Sequence, residues 1–184
     1  MPPVETPVCA FGTPAPKFSL PATDGKTYTL ASCRGPKGLL VMFICNHCPY
    51  VKGVRERIIR DAIDLQKLGI GVVAISANDP AEYPEDSFES MKKVAQQYRY
   101  PFPFLFDETQ EVARAYEAVC TPDFFGYNAE LKLQYRGRLD ASGKDPVPGA
   151  RRELYEAMKQ IAQTGRGPTE QVPSMGCTIK WKAA

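Results

Sequence analysis

The stretch Gly38-Leu39-Leu40-Val41-Met42-Phe43-Ile44-Cys45-Asn46-His47-Cys48-Pro49 decides the fold. Positions 38 to 44 form an unbroken apolar run of strand length, which suits a central strand buried on both faces. From Pro49 onward the apolar residues Val51, Val54, Ile58, Ala62, Leu65 and Leu68 recur at helical spacing, and Gly69 stands where a glycine just past a helix end belongs. The spacing predicts one continuous helix. Cys45 and Cys48 therefore occupy a strand-to-helix junction.

Working outward, Ile70-Gly71-Val72-Val73-Ala74-Ile75-Ser76 is a second buried strand, followed by a loop over 78–84 and a predicted helix over 86–98. Strand, helix, strand in this order implies a parallel βαβ unit. A short strand at Phe104-Leu105-Phe106 leads to a helix over 109–118. Cys120-Thr121-Pro122 then opens the strand 123–127, with 131–136 as its antiparallel partner across Asn128-Ala129. A last helix, 149–163, ends at Thr164-Gly165. Upstream, two strand-like pieces flank Asp24-Gly25 and predict a hairpin. The reading is an α/β chain forming one domain over 1–184, with an N-terminal hairpin extension at 1–36 and a Gly/Pro-rich C-terminal tail at 165–184.

A chain of 184 residues, 43% hydrophobic, can bury one substantial core. Its formal charge is +2, and the lysines and arginines are dispersed. That pattern gives no footprint for nucleic acid. No run approaches the roughly 20 apolar residues of a membrane span. The first residues lack both a basic and an apolar leader segment, so the cytoplasm is the expected compartment, with a periplasmic or secreted origin only if a signal peptide had been removed.

Of the six cysteines, only Cys45 and Cys48 are spaced as a unit. Three positions apart on the first turn of a helix, they would lie on one face within disulfide reach. On that reading Cys45, nearest the helix N-terminus, has its thiolate stabilised and acts as nucleophile, and Cys48 resolves the mixed disulfide. His47, the only histidine, either tunes the thiolate or points into solvent. Structural zinc would need four ligands, and the chain has no second C-x-x-C. No metal and no cofactor are expected.

Strand, C-x-x-C, helix, second strand and a Thr-Pro opening a hairpin together resemble the thioredoxin-like superfamily. Within it, the hairpin, the long insert before Thr121-Pro122 and the phrase Asn46-His47-Cys48-Pro49-Tyr50-Val51-Lys52 are similar to the redoxin branch, which includes the alkyl hydroperoxide reductase and thiol-specific antioxidant proteins. The resemblance implies a thioredoxin-like fold, a central mixed β-sheet flanked by helices. It also implies that Pro122 is a cis-proline beside the cysteines and that Thr121 offers its backbone to an extended substrate. Three features depart from these relatives. The arginine that peroxiredoxins use near the site has no clear counterpart, the matching loop carrying Pro122 instead. The Pro-x-x-x-Thr-x-x-Cys phrase of peroxiredoxins is missing in either register: Gly38 and Met42 hold its places before Cys45, Val41 and Cys45 before Cys48. The buried aspartate of thioredoxins is replaced by Leu39-Leu40-Val41.

Another proton acceptor would be needed, and Asp79 and Glu82 are the topological candidates, each balanced against an ordinary solvated loop. Cys120 is either an alternative resolving thiol or a small buried hydrophobe. Cys177 lies in a tail that the isolated Trp181 ties down somewhere; Cys9 and Cys33 read as structural. The expected function is thiol-disulfide exchange through Cys45 and Cys48, with His47, Thr121 and Pro122 tuning and positioning. Its partners would be a disulfide-containing protein or small thiol as substrate and thioredoxin or a similar electron donor. Peroxide reduction is the alternative, and a non-catalytic binding module a third reading.

Overall fold

The structure is a computed structural model, and it describes residues 2–183. Strand β1 (Val4–Glu5) precedes the hairpin β2 (Ser19–Pro21) and β3 (Thr27–Thr29), which pair antiparallel with Leu20 opposite Tyr28. Gly25 takes φ +86° in the turn, and the Asp24 carboxylate accepts from the Lys26 amide at 2.9 Å. Glycine adopts this left-handed conformation without a Cβ clash. Helix α1 (Leu30–Cys33) starts on a reciprocal cap between Thr29 and Ser32.

The predicted central strand is β4 (Gly38–Phe43), buried along its whole length. It pairs antiparallel with β8 (Asp123–Asn128), which pairs antiparallel with β9 (Leu133–Tyr135). On its other side lies β5 (Ile70–Ser76), whose Ile75 carbonyl accepts from the Ile44 amide at 3.0 Å, and β5 pairs in parallel with β6 (Phe104–Phe106). The result is a central mixed sheet. Pleat alternation splits its core in two. Leu40, Met42 and Ile44 face Ile58 and Leu65 of α3 (Arg55–Lys67) and Leu154, Met158 and Ile161 of α6 (Glu153–Thr164). Leu39, Val41 and Phe43 face the hairpin's Phe18 and Leu20 and, from α5 (Glu111–Tyr116), Ala113 and Tyr116. Each fully buried side chain of this size contributes about 1.5–3 kcal/mol, so both faces are needed.

Three expectations are corrected. The helix after Pro49 is broken into α2 (Pro49–Lys52) and α3, with Gly53 and Val54 between them. A Cβ on Gly53 would lie 2.4 Å from the Lys144 carbonyl, so the loop at 143–144 presses against the chain at the break. The helices foreseen over 86–98 and 109–118 are shorter: α4 (Phe88–Gln97) follows a 3-10 turn at Pro84–Asp86, and α5 covers only 111–116. The tail is not merely a Gly/Pro-rich end. Its strand β10 (Met175–Thr178) pairs antiparallel with β1 on one side and with β7 (Cys120–Thr121) on the other.

Candidate active site

The junction between β4 and α2 carries the chemistry. Because the helix starts only at Pro49, Cys48 is its N-cap residue and Cys45 lies before it, two residues past the end of β4. Proline at the first helical position explains this start, since it lacks the amide that position leaves unbonded. The pair therefore does not share a helical turn. The Thr121–Pro122 bond is cis, and it faces both sulfurs. Cys45 Sγ is 3.4 Å from Thr121 Oγ1, and Cys48 Sγ lies 3.3 Å from the Thr121 carbonyl oxygen. Both cysteines have no solvent-accessible surface.

Charge is favoured at Cys48. The Cys45 thiol donates to the Cys48 sulfur; the Cys177 thiol and backbone amide and the Thr121 hydroxyl add to this against the cost of burial, and together they draw Cys48 far below the ordinary thiol range, to about 4. Burial pushes Cys45 the other way, well above that range, helped by its bond to Cys48 and by the negative Asp86. The helix N-terminus and the donors thus converge on Cys48, whereas the sequence reading put the thiolate at Cys45, which sits deeper and next to a carboxylate.

That carboxylate is Asp86, fully buried on the 3-10 turn. One of its oxygens accepts from the backbone amides of Asn46 (2.7 Å) and His47 (3.2 Å); the other meets His47 Nδ1 and accepts from Asn78 Nδ2 at 3.0 Å. Burial alone would raise its pKa, but the bonds from His47, Asn78 and Asn46 outweigh it and hold Asp86 below the usual carboxylate range. His47 stacks on Tyr83, ring centroids 4.5 Å apart, and retains partial exposure. The ring is held in place, by a stack on one face and an acceptor at Nδ1. Asp79 and Glu82, the acceptors foreseen from topology, stand elsewhere: Asp79 closes its own turn by accepting from the Ala81 amide, and Glu82 is exposed. No local spacing could connect Asp86 with His47, which are 39 residues apart.

Cys45, His47 and Asp86 place one sulfur, one ring nitrogen and one carboxylate oxygen within 4.8 Å of one another, the one such group among the described residues. These are the residues that could hold a metal ion, but the Asp86 oxygens are already engaged by the four donors just named.

The remaining thiols separate clearly. Cys120 is fully buried, donates to the Pro122 carbonyl at 3.6 Å and is pushed strongly up by burial, the environment of a small core residue. Cys9 and Cys33 are both pushed up to about 11, chiefly by burial. Cys177 lies directly across from Thr121 in the β7–β10 pair and is partly exposed, its thiol pushed up to about 11 by burial and the neighbouring Cys48. The Thr121 backbone, expected to receive an extended substrate, is therefore paired with the chain's own tail. Beside it, a cavity of about 150 Å³ is lined by Tyr50, Pro122, Phe124, Leu139, Ser174 and Met175.

With the fold and site in view, residues 11–139 match the AhpC/TSA family. The chain belongs to that family. The redoxin-branch resemblance is thereby shown, and with it a thioredoxin-like redox class. The Peroxiredoxin Bcp of Escherichia coli K12 is 28% identical over 134 residues, which cover 72% of this chain and 80% of that protein. A crystal structure of an uncharacterized conserved protein from Geobacillus kaustophilus is 45% identical, with a TM-score of 0.94 over all of this chain and 98% of the other. The thioredoxin domain of a thiol-disulfide oxidoreductase from Bacteroides vulgatus, 17% identical, matches with a TM-score of 0.64 over 83% of this chain and 98% of that one, and shares the fold. Within this AhpC/TSA member, the tail that carries Cys177 lies beyond the matched residues.

Proposed function

We propose that this protein is a thiol-disulfide oxidoreductase in which Cys48 is the attacking thiol and Cys45 its C-x-x-C partner. The observation that carries the reading is the convergence of both sulfurs on Thr121, at the cis-proline loop, with the hydrogen-bond donors directed to Cys48. The Cys48 thiolate attacks one sulfur of a substrate disulfide; a Cys48–substrate disulfide forms and the other substrate sulfur leaves as thiolate, taking the Cys45 proton. The Cys45 thiolate then attacks Cys48 Sγ, forming the Cys45–Cys48 disulfide and releasing the second substrate thiolate. The substrate disulfide gains two electrons and the cysteine pair loses them. A dithiol reductant of the thioredoxin type, or a small thiol, would restore the pair.

Peroxide reduction is a second reading, favoured by the name of the Escherichia coli relative and by the thiolate at Cys48. Against it, Cys45 stands where peroxiredoxins carry the threonine that places peroxide, and Pro122 stands in the loop where they carry an arginine.

A redox titration in defined thiol-disulfide buffers, with alkylation and peptide mass spectrometry, tests the exchange reading. A reversible Cys45–Cys48 bond supports it. Thiols that stay free at every potential, while stoichiometric peroxide converts Cys48 to a sulfenic acid, would replace it with the peroxidase.

A further inference from the structure

With β10 paired to β7 an outside reductant faces a difficulty of access, and so does the substrate disulfide, which reaches Cys48 only where β10 lifts from β7. Thiol-disulfide exchange needs in-line approach to a sulfur, yet Cys45 and Cys48 have no exposed surface. Among the three sulfurs of the cluster, only Cys177 is partly exposed. Its position is set by the backbone: β10 runs antiparallel to β7 with Cys177 opposite Thr121 and Thr178 opposite Cys120, which puts the Cys177 thiol and amide close enough to Cys48 to favour its thiolate. Gly176 makes this approach possible, because any Cβ there would lie 1.9 Å from the Thr121 carbonyl. The strand is anchored from both flanks. Thr6 exchanges hydrogen bonds with Ser174 at 2.9 and 3.2 Å, and Ser174 Oγ donates to the Pro122 carbonyl at 2.7 Å. Further along, the Lys180 amide donates to Asn78 Oδ1 and the Lys182 amide to Gln110 Oε1, both at 2.9 Å. A segment that only closed off the chain end would not need to deliver a thiol to the cis-proline.

We propose that Cys177 is a third redox cysteine, the port through which an external dithiol reductant restores the buried Cys45–Cys48 pair. This rests on the exchange reading above. In the oxidised protein the Cys177 thiol loses its proton to solvent and attacks Cys48 Sγ; the Cys45–Cys48 bond breaks, the Cys48–Cys177 bond forms, and Cys45 leaves and takes up a proton. No electrons are gained or lost in that step. An external dithiol then attacks the partly exposed Cys177 Sγ, and Cys48 departs as the thiolate its neighbours stabilise. The second thiol of the reductant releases Cys177, so the reductant leaves as a disulfide and the protein regains two thiols. Attack at Cys177 pairs the accessible sulfur with the better leaving group, the arrangement that makes exchange fast.

The test uses the full chain as wild type, Cys45→Ala, Cys177→Ala and Cys177→Ser, with thermal melting to confirm that each is folded. Each is oxidised with diamide, mapped by non-reducing peptide mass spectrometry, and re-reduced with dithiothreitol while free thiols are trapped over time. The expected results are a Cys48–Cys177 peptide in wild type and in Cys45→Ala, and a Cys45–Cys48 bond in both Cys177 variants that is re-reduced at least tenfold more slowly than wild type. Re-reduction of both Cys177 variants at the wild-type rate, or no Cys48–Cys177 peptide in either wild type or Cys45→Ala, would overturn the proposal while leaving the Cys45–Cys48 exchange intact. Absence of any disulfide at Cys48 in all four proteins would instead overturn the exchange reading, and the port with it.

Discussion

His47 and Asp86 are joined through the ring Nδ1 and a fully buried carboxylate oxygen, and the other oxygen of the same carboxylate holds the backbone of the loop between Cys45 and Cys48. One side chain thus fixes both the loop and the ring beside the thiols. Asp86→Ala strands the Asn46 and His47 amides and the Asn78 side chain, and buried donors left unpaired cost roughly 1–3 kcal/mol each. The expected loss is about 3 kcal/mol, read by urea unfolding. A loss below about 0.5 kcal/mol would mean that water or a shifted loop replaces the carboxylate.

The same group sets an acid limit. Asp86 is held below the usual carboxylate range in the folded state, so its contribution is present above the unfolded value of about 3.9 and is lost as pH falls through the folded value. The stability difference between wild type and Asp86→Asn should be constant near neutrality and shrink in acid. A difference that grows on acidification would contradict the assignment.

Cys48, not Cys45, should be the ionised thiol. Thiolate absorbance near 240 nm is expected to titrate well below the ordinary thiol range in wild type and to vanish from that range in Cys48→Ser. Cys45→Ala removes the first of the donors to the Cys48 sulfur, so the midpoint should move up by at least one pH unit, about 1.4 kcal/mol of thiolate stabilisation. Persistence of the low titration in Cys48→Ser would return the nucleophile to Cys45.

How much of this could be read from the chain follows from which contacts are local. The buried runs of β4 and β5, the helical spacing of α3 and the Asp24-Gly25 hairpin are period and turn signals, and all stand where expected. The cis-proline was legible through family resemblance. The preference for Cys48 was not, because it depends on where the helix starts, and a shift of three positions moves the N-cap from one sulfur to the other. Asp86 was invisible because a carboxylate at the start of a helix is ordinary. The docking of Cys177 depends on pairing between residues more than 50 positions apart, which a four-residue strand does not announce.

Gly176 offers a way to loosen that docking without touching a thiol. In Gly176→Val the branched side chain would collide with the Thr121 carbonyl, so β10 has to lift away from β7. The expected result is iodoacetamide alkylation of Cys48 in the native protein at least tenfold faster than in wild type, with the unfolding midpoint lowered by a smaller amount than Asp86→Ala causes. An unchanged alkylation rate in a folded variant would show that Cys48 is reached by another path.

The last prediction concerns the ion pair behind the cis-proline. Arg136 and Asp123 are both buried, their side chains joined at 2.9 and 3.3 Å, and Asp123 also accepts from the Val119 amide at 3.1 Å. Burial raises the Asp123 pKa even with Arg136 partly offsetting it. Arg136→Ala leaves that carboxylate without its cation, and breaking a buried pair from one side costs about 3–5 kcal/mol. The folded-state pKa of Asp123 then rises further above the unfolded value, so the variant's deficit against wild type should be smallest below pH 4 and grow as pH rises through the new folded value. Urea unfolding at pH 4 and pH 7 checks the sign: a larger deficit against wild type is expected at pH 7. Because Arg136 bonds to Asp123 and the Glu117 carbonyl, disulfide exchange per folded molecule should change less than twofold. A tenfold loss of exchange at full folding would place Arg136 among the groups acting on Cys48.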